Sequence, residues 1–279
     1  MPVTVFETIK DGATIFAAGR GTILSVVPDT DIHPELRSAA RFVPRKLIYP
    51  WTLPVLRRLT ALQRPSGDGV ELLTLSSGIG IRLHRPRNGT VRGPALLWIH
   101  GGGYVLGSPA QDDILCRRFA DTLGITVAAV RYRLAPEHPY PAPLEDCYSA
   151  LRWLAGLPAV DPGRIAIGGS SAGGGLAAAL ALLTRDRAEI NPVLQLLVYP
   201  MLDDRSVGRH LDDTGHRLWN ATSNRFGWQS YLGTADPEVA VPARRTDLAG
   251  LPPAWLGVGT LDLFHDEDLE YARRLQSAG

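Results

Sequence analysis

Gly169-Ser170-Ser171-Ala172-Gly173 has the spacing of a nucleophilic serine set between two glycines. A serine hydroxyl attacks a carbonyl only when a tight strand-to-helix turn exposes it and a base accepts its proton. Glycines on both sides let neighbouring backbone pass close by, and the helix that follows directs free N–H groups and its positive dipole end at the reacting centre. Ser171 is the nucleophile in this register, because Ser170 has Ala172 two places later where glycine is wanted. A second element of the same chemistry is His100-Gly101-Gly102-Gly103. A glycine triplet lets backbone N–H groups approach a ligand oxygen, and two of them with the N–H of Ala172 would form an oxyanion hole. His100, at a strand end, reads as a hydrogen bonder that holds the loop. The loop lacks the Lys-Ser/Thr ending of a phosphate-binding P-loop, and no acidic residue follows at dinucleotide spacing. Asp262 comes 91 residues after Ser171, at the end of an apolar run. That fits the order serine, acid, histidine of an α/β-hydrolase, with the acid orienting an imidazole and stabilising its protonated form. Asp266, Glu267 and Asp268 read as first-turn acids that complement a helix dipole.

These residues need a scaffold, and the surrounding pattern supplies one. Short apolar runs alternate with helical patterns: PALLWIH, ITVAAVRYR, RIAIGGS, VLQLLVYP and AWLGVGTLD as strands, PAQDDILCRRFADTLG, LEDCYSALRWLAG, AGGGLAAALALLTRDR and DEDLEYARRLQSAG as helices. Such alternation predicts an α/β fold with a mostly parallel sheet covered on both faces. VELLTLSSGIGIRLHRP predicts two strands joined by a glycine-bearing turn. Residues 1–68, broken by Pro28, Pro34, Pro44, Pro50 and Pro54, predict an irregular N-terminal cap with short helices at PELRSAARFV and LPVLRRLTAL. Residues 69–279 form the core, and a polar excursion at about 201–250 predicts a second lid-like insertion. Tyr104, Trp219, Phe226, Trp228 and Tyr231 are candidate pocket walls, with core packing as the competing reading.

Composition narrows the partners. A net charge of +1 over 279 residues gives no electrostatic footprint for nucleic acid or an anionic membrane. The longest apolar helical run, from Leu176 to Leu183, is too short to span a bilayer. Glu7, Lys10 and Asp11, then Gly19, Arg20 and Gly21, interrupt what could pass for a secretory signal. Cys116 and Cys147 make no disulfide framework and have no metal spacing, so buried thiols and a reducing, cytoplasmic compartment are expected. No cofactor or metal is expected.

HGGGYVLGS, VRYRLAPEHPYPAPLED, GGSSAGGGLAAALAL and LDLFHDEDLEYARRL together resemble the hormone-sensitive-lipase-like esterases, also called bacterial family IV. The resemblance covers residues 70–279. It implies an α/β-hydrolase fold with a helical cap and hydrolysis of small carboxylic esters with short to medium acyl chains. By position it implies Ser171 as nucleophile, Asp262 as triad acid, and Gly102, Gly103 and Ala172 as the oxyanion hole, with Tyr132 to Pro141 as a structural segment. Ser170 departs from the Asp or Thr that the family often has before its nucleophile. Ester and amide cleavage share an intermediate, so an amidase or peptidase stays open, as does a non-catalytic small-molecule binder on the same scaffold, the state of the gibberellin receptors that resemble this family.

The family's catalytic histidine lies beyond the helix that follows the acid, and this sequence stops at that helix. The expectation is a chain lacking its last strand and histidine loop, with impaired turnover. Truncation, a substitute base and a base from another chain are the competing explanations. The seven histidines are His33, His84, His100, His138, His210, His216 and His265. His265 is nearest to Asp262, His210 and His216 lie in the excursion, and His33 and His84 read as surface positions. A base must reach both nucleophile and acid. A missing last strand would also leave a sheet edge open, a place for a homodimer to pair.

Overall fold

The continuous apolar runs become the centre of one sheet. The computed structural model describes residues 3–8, 35, 47–61, 69–87, 92–208, 216 and 218–279. Its strands are β1 (Val3–Thr8), β2 (Val70–Thr74), β3 (Gly80–His84), β4 (Gly93–Ile99), β5 (Thr126–Arg131), β6 (Val160–Ser170), β7 (Leu194–Val198) and β8 (Ala254–Gly259). They lie in the order β1-β8-β7-β6-β4-β5-β3-β2. All neighbours from β1 to β5 are parallel, and β3 runs antiparallel to both β5 and β2. Parallel strands need crossovers, and α2 (Asp113–Leu123), α3 (Ala142–Ala155), α4 (Ala172–Arg187), α5 (Ala221–Leu232) and α6 (Pro237–Ala240) lie in them, while α1 (Leu53–Ala61) precedes β2 and α7 (His265–Ser277) follows β8.

Alternation along β4 and β5 divides the core. Leu97, Ile99, Ala128 and Val130 face a large cluster with Leu151 of α3, Leu176 and Leu180 of α4, and Tyr271 of α7. Leu96, Trp98, Val127 and Ala129 face Cys116, Phe119 and Ala120 of α2. The two cysteines are therefore buried on opposite sides of the sheet as free thiols. Cap helix α1 closes a smaller cluster in which Leu53 and Ile48 meet Val105 and Ala135.

Three expectations change. Residues 1–68 are not all cap: Val3–Thr8 enters the sheet as β1, pairing from Val3 opposite Ala254 to Thr8 opposite Gly259. Its sequence, VTVFET, is rich in β-branched and aromatic residues, and β8 offers it a row of unpaired backbone groups. The edge expected to be open for a second copy is thus filled by the chain's own β1. Second, His84 is not a surface residue: it is fully buried, 3.5 Å from Asp113, and burial lowers its pKa to about 4. Third, β8 stops at Gly259, so Asp262 stands in the turn beyond the strand, its N–H donating to the Gly259 carbonyl at 3.0 Å. The predicted helix at PELRSAARFV lies outside the described residues apart from Glu35.

Candidate active site

Ser171 stands between β6 and α4 with φ 55° and ψ −122°. A non-glycine residue in that conformation stores roughly 1–3 kcal/mol and persists only when its surroundings over-determine it. They do so here. The Ser171 N–H donates to the Val198 carbonyl at 2.9 Å, and the Ser171 carbonyl accepts from both Gly175 and Met201 at 3.0 Å. Helix α4 begins at Ala172, whose N–H has no intrahelical acceptor. Gly173 sits so close to the end of β4 that a methyl group on it would lie 2.1 Å from the Ile99 carbonyl oxygen.

The His100–Gly103 loop lies alongside. A methyl group on Gly101 would be 3.4 Å from Ser171 Cβ. Gly102 (φ 126°) and Gly103 (φ 59°) are in the left-handed region, which side chains rarely adopt. The Gly102 carbonyl accepts from Val105 at 3.1 Å and Leu106 at 3.0 Å, coiling the loop. His100 holds it as expected. Its Nδ1 is 2.8 Å from the Gly101 carbonyl oxygen and its ring stacks on Tyr132 at 4.3 Å. Burial depresses the His100 pKa to about 4, so the ring is neutral at pH 7. Tyr132 Oη donates to the His100 carbonyl at 3.0 Å, and the Ala135 N–H to Tyr104 O at 3.0 Å. The Tyr132–Pro141 segment therefore supports this loop. From the cap, Arg57 donates to the carbonyls of Val105 (2.7 Å) and Ala135 (2.5 Å) and pairs with Glu137.

Gly102, Gly103 and Ser171 line one pocket of about 330 Å³ with Leu47, Ile48, Leu56, Leu59, Thr60, Leu106, Leu218 and Trp219. Its walls come from the cap, α1 and the residues before α5, and they are almost wholly apolar. Of the aromatic residues weighed as walls, Trp219 lines the pocket. Phe226 packs in the cap cluster, while Tyr104, Trp228 and Tyr231 are buried in the core, Tyr104 and Tyr231 stacked at 4.1 Å.

Asp262 accepts the Phe264 N–H at 2.9 Å. Burial raises its pKa, while that N–H and the charges of His216 and His265 pull it down. Tyr199 adopts φ 36°; burial raises the pKa of its hydroxyl, the charges of Asp112 and Asp262 add to that, and a hydrogen bond with Ser170 opposes it. Behind Asp262, α7 carries buried acids. Glu267 accepts the N–H groups of Leu202 (2.8 Å) and Asp203 (3.1 Å), and burial lifts its pKa to about 8. Asp268 is fully buried, and burial with nearby Glu267 and Asp262 pushes its pKa well up. All three acids stand in the first turn of α7, as the sequence suggested, but Glu267 and Asp268 are buried and Asp266 alone is exposed.

No histidine among the described residues is hydrogen-bonded to Ser171. His138 is exposed, His265 engages Asp266 at 3.0 Å, and His33 and His210 lie outside the described residues. His216 is two residues from pocket-lining Leu218 and within electrostatic reach of Asp262. Sequence reasoning missed Arg57, Tyr199 and Glu267, because only the fold shows what they touch.

A strained serine at a strand-helix elbow, beside a glycine loop at the carboxyl ends of parallel strands, defines an α/β-hydrolase. The family model for the α/β hydrolase fold matches residues 96–279, and the chain belongs to that family. Esterase LipI of Mycobacterium tuberculosis is 35% identical over 255 residues, covering 88% of this chain and 75% of LipI. Carboxylic ester hydrolase LipN of the same organism is 40% identical over 217 residues, covering 72% of this chain and 57% of LipN. The matched region thus spans between about half and three quarters of these relatives. Among solved structures, a bacterial heroin esterase superposes with a TM-score of 0.79 at 39% identity, covering 88% of this chain and 85% of that one. These relatives place the chain among carboxylesterase-type hydrolases.

Proposed function

We propose that the chain cleaves carboxylic esters of short to medium acyl chains through a Ser171 acyl-enzyme. The observation that carries this reading is Ser171 in its strained elbow on the floor of an apolar pocket that Gly102 and Gly103 share. Ser171 Oγ attacks the ester carbonyl and gives up its proton to a base. The carbonyl oxygen becomes an oxyanion held by the N–H groups of Gly102, Gly103 and Ala172. Collapse expels the alcohol, which takes a proton, and water then hydrolyses the acyl-enzyme. Asp262 orients and stabilises the protonated base. The apolar walls favour the acyl chain over a charged or peptide substrate, and the names of the relatives, esterase and carboxylic ester hydrolase, agree.

The reading carries the expectation of slow turnover in this chain, with catalysis resting on the oxyanion hole and binding. Hydrolysis of 4-nitrophenyl butyrate by the parent and by Ser171→Ala tests both statements. A slow rate that Ser171→Ala removes supports the proposal. A parent rate near 10 per second, ordinary for an enzyme, would show that a base is already in place. Equal rates in parent and Ser171→Ala would refute Ser171 as nucleophile.

A further inference from the structure

The indole of Trp219 occupies a slot made by two glycines from distant parts of the chain. A methyl group on Gly103 would fall 1.7 Å from Trp219 Cη2, and one on Gly227 of α5 would lie 3.0 Å from the same atom. Gly103 belongs to the loop beside Ser171, so the ring stands directly against the pocket floor. It is pinned there by more than packing. Trp219 Nε1 donates to Asn224 Oδ1 at 3.4 Å, and Asn224 Nδ2 to Ser206 Oγ at 3.3 Å. Ser206 Oγ donates to the Asp203 carbonyl at 2.8 Å, and the Asp203 N–H is held by Glu267. The ring joins the cap cluster of Ile48, Leu53 and Val105 on one side and the main core on the other.

We infer that Trp219 is the stop that sets how long an acyl chain the pocket accepts. The inference rests on the esterase reading and adds to it which residue fixes chain length. An apolar chain gains affinity for each methylene it buries, about 0.8 kcal/mol or roughly fourfold. The gain ends where the wall stands. In this pocket the wall is a rigid ring backed by α5, where Gly227 leaves no side chain of its own. Shortening Trp219 to alanine opens the slot toward Gly227 and moves the wall back, whereas phenylalanine keeps a ring in the slot and the wall in place.

The test needs no turnover. Binding of 2-alkanones of increasing length, which present an ester-like carbonyl and cannot be hydrolysed, is measured by calorimetry for the parent, Trp219→Ala and Trp219→Phe. Affinity in the parent and in Trp219→Phe should rise about fourfold per carbon and then level off at the same length. In Trp219→Ala the rise should continue for at least about two further carbons. A plateau at the parent's length in Trp219→Ala, with thermal unfolding showing that variant folded, overturns the inference. If Trp219→Ala does not fold, Trp219→Leu takes its place under the same criterion. Hydrolysis by the parent and Ser171→Ala, measured alongside, separates the two readings. A moved plateau with no Ser171-dependent hydrolysis keeps the ruler and removes the esterase. An unmoved plateau with Ser171-dependent hydrolysis does the reverse.

Discussion

Gly173→Ala should loosen the Ser171 elbow from the end of β4 and the His100–Gly103 loop. The added methyl carbon would lie 2.1 Å from the Ile99 carbonyl oxygen and 2.5 Å from that of His100. A Cβ essentially never approaches another heavy atom within 3.0 Å, and both partners are backbone atoms that cannot rotate aside. Helix α4 and the end of β4 must therefore part by about 1 Å. Overpacking of this kind costs about 1–3 kcal/mol, and two backbone clashes put Gly173 at the upper end. Alanine's better helix propensity returns at most about 1 kcal/mol. The net expectation is a loss of about 2 kcal/mol, read as a lower urea midpoint with unchanged slope. Activity should fall further than stability, since a misplacement of about 1 Å at the reacting centre costs around 100-fold. Gly259→Ala is the control: nothing lies within 4 Å of its new methyl group, so its unfolding free energy should stay within about 1 kcal/mol of the parent's. A Gly173→Ala variant that matches Gly259→Ala in urea midpoint and matches the parent in ester hydrolysis would refute the reasoning.

Other expectations follow from single contacts. Glu267 keeps its proton in the folded protein up to about pH 8, against an ordinary value of 4.5. Between those values the folded state binds the extra proton, so stability falls as pH rises. Glu267→Gln should flatten urea midpoints between pH 5 and 8, leaving the same-signed slope from Asp268; an unchanged profile would show that Glu267 is already ionised. Arg57→Ala removes the cap's grip on Val105 and Ala135, and kcat should drop several-fold with little change in the secondary-structure spectrum, whereas unchanged kinetics would mean the loop is self-supporting. Asp113→Ala leaves the buried Arg82 without its bidentate partner and should cost about 3–5 kcal/mol in urea unfolding. Ser170→Ala should retain measurable hydrolysis where Ser171→Ala does not, and the opposite order would reassign the nucleophile.

Much of the fold could be read from local pattern. AGGGLAAALALLTRDR is α4 from its first residue to its last, because a strand, a glycine-flanked serine and an apolar run are all local signals. The strands β4 to β8 were legible for the same reason: burial on both faces makes them continuously apolar. What stayed hidden depends on residues far apart in the chain. The pairing of β1 with β8 joins residue 3 to residue 254, and no periodicity announces it. The slot around Trp219 needs glycines 124 residues apart, at 103 and 227, to face each other. Glu267 and Asp268 have the composition of a helix's solvated first turn, yet α7 turns that face inward. His84 alternates within an ordinary edge-like strand pattern, and only the arrival of α2 buries it against Asp113.

The conformation of Ser171 has a consequence for how such a chain would change under selection. Glycine would adopt φ 55°, ψ −122° without the steric cost that serine bears there. Selection for folding yield alone would favour Ser171→Gly, and with it a silent protein that is more robust than its parent. A serine here carries a steric cost that glycine would not, so stability alone does not account for it. A library of variants sorted first for resistance to proteolysis and then for ester hydrolysis should divide at this residue.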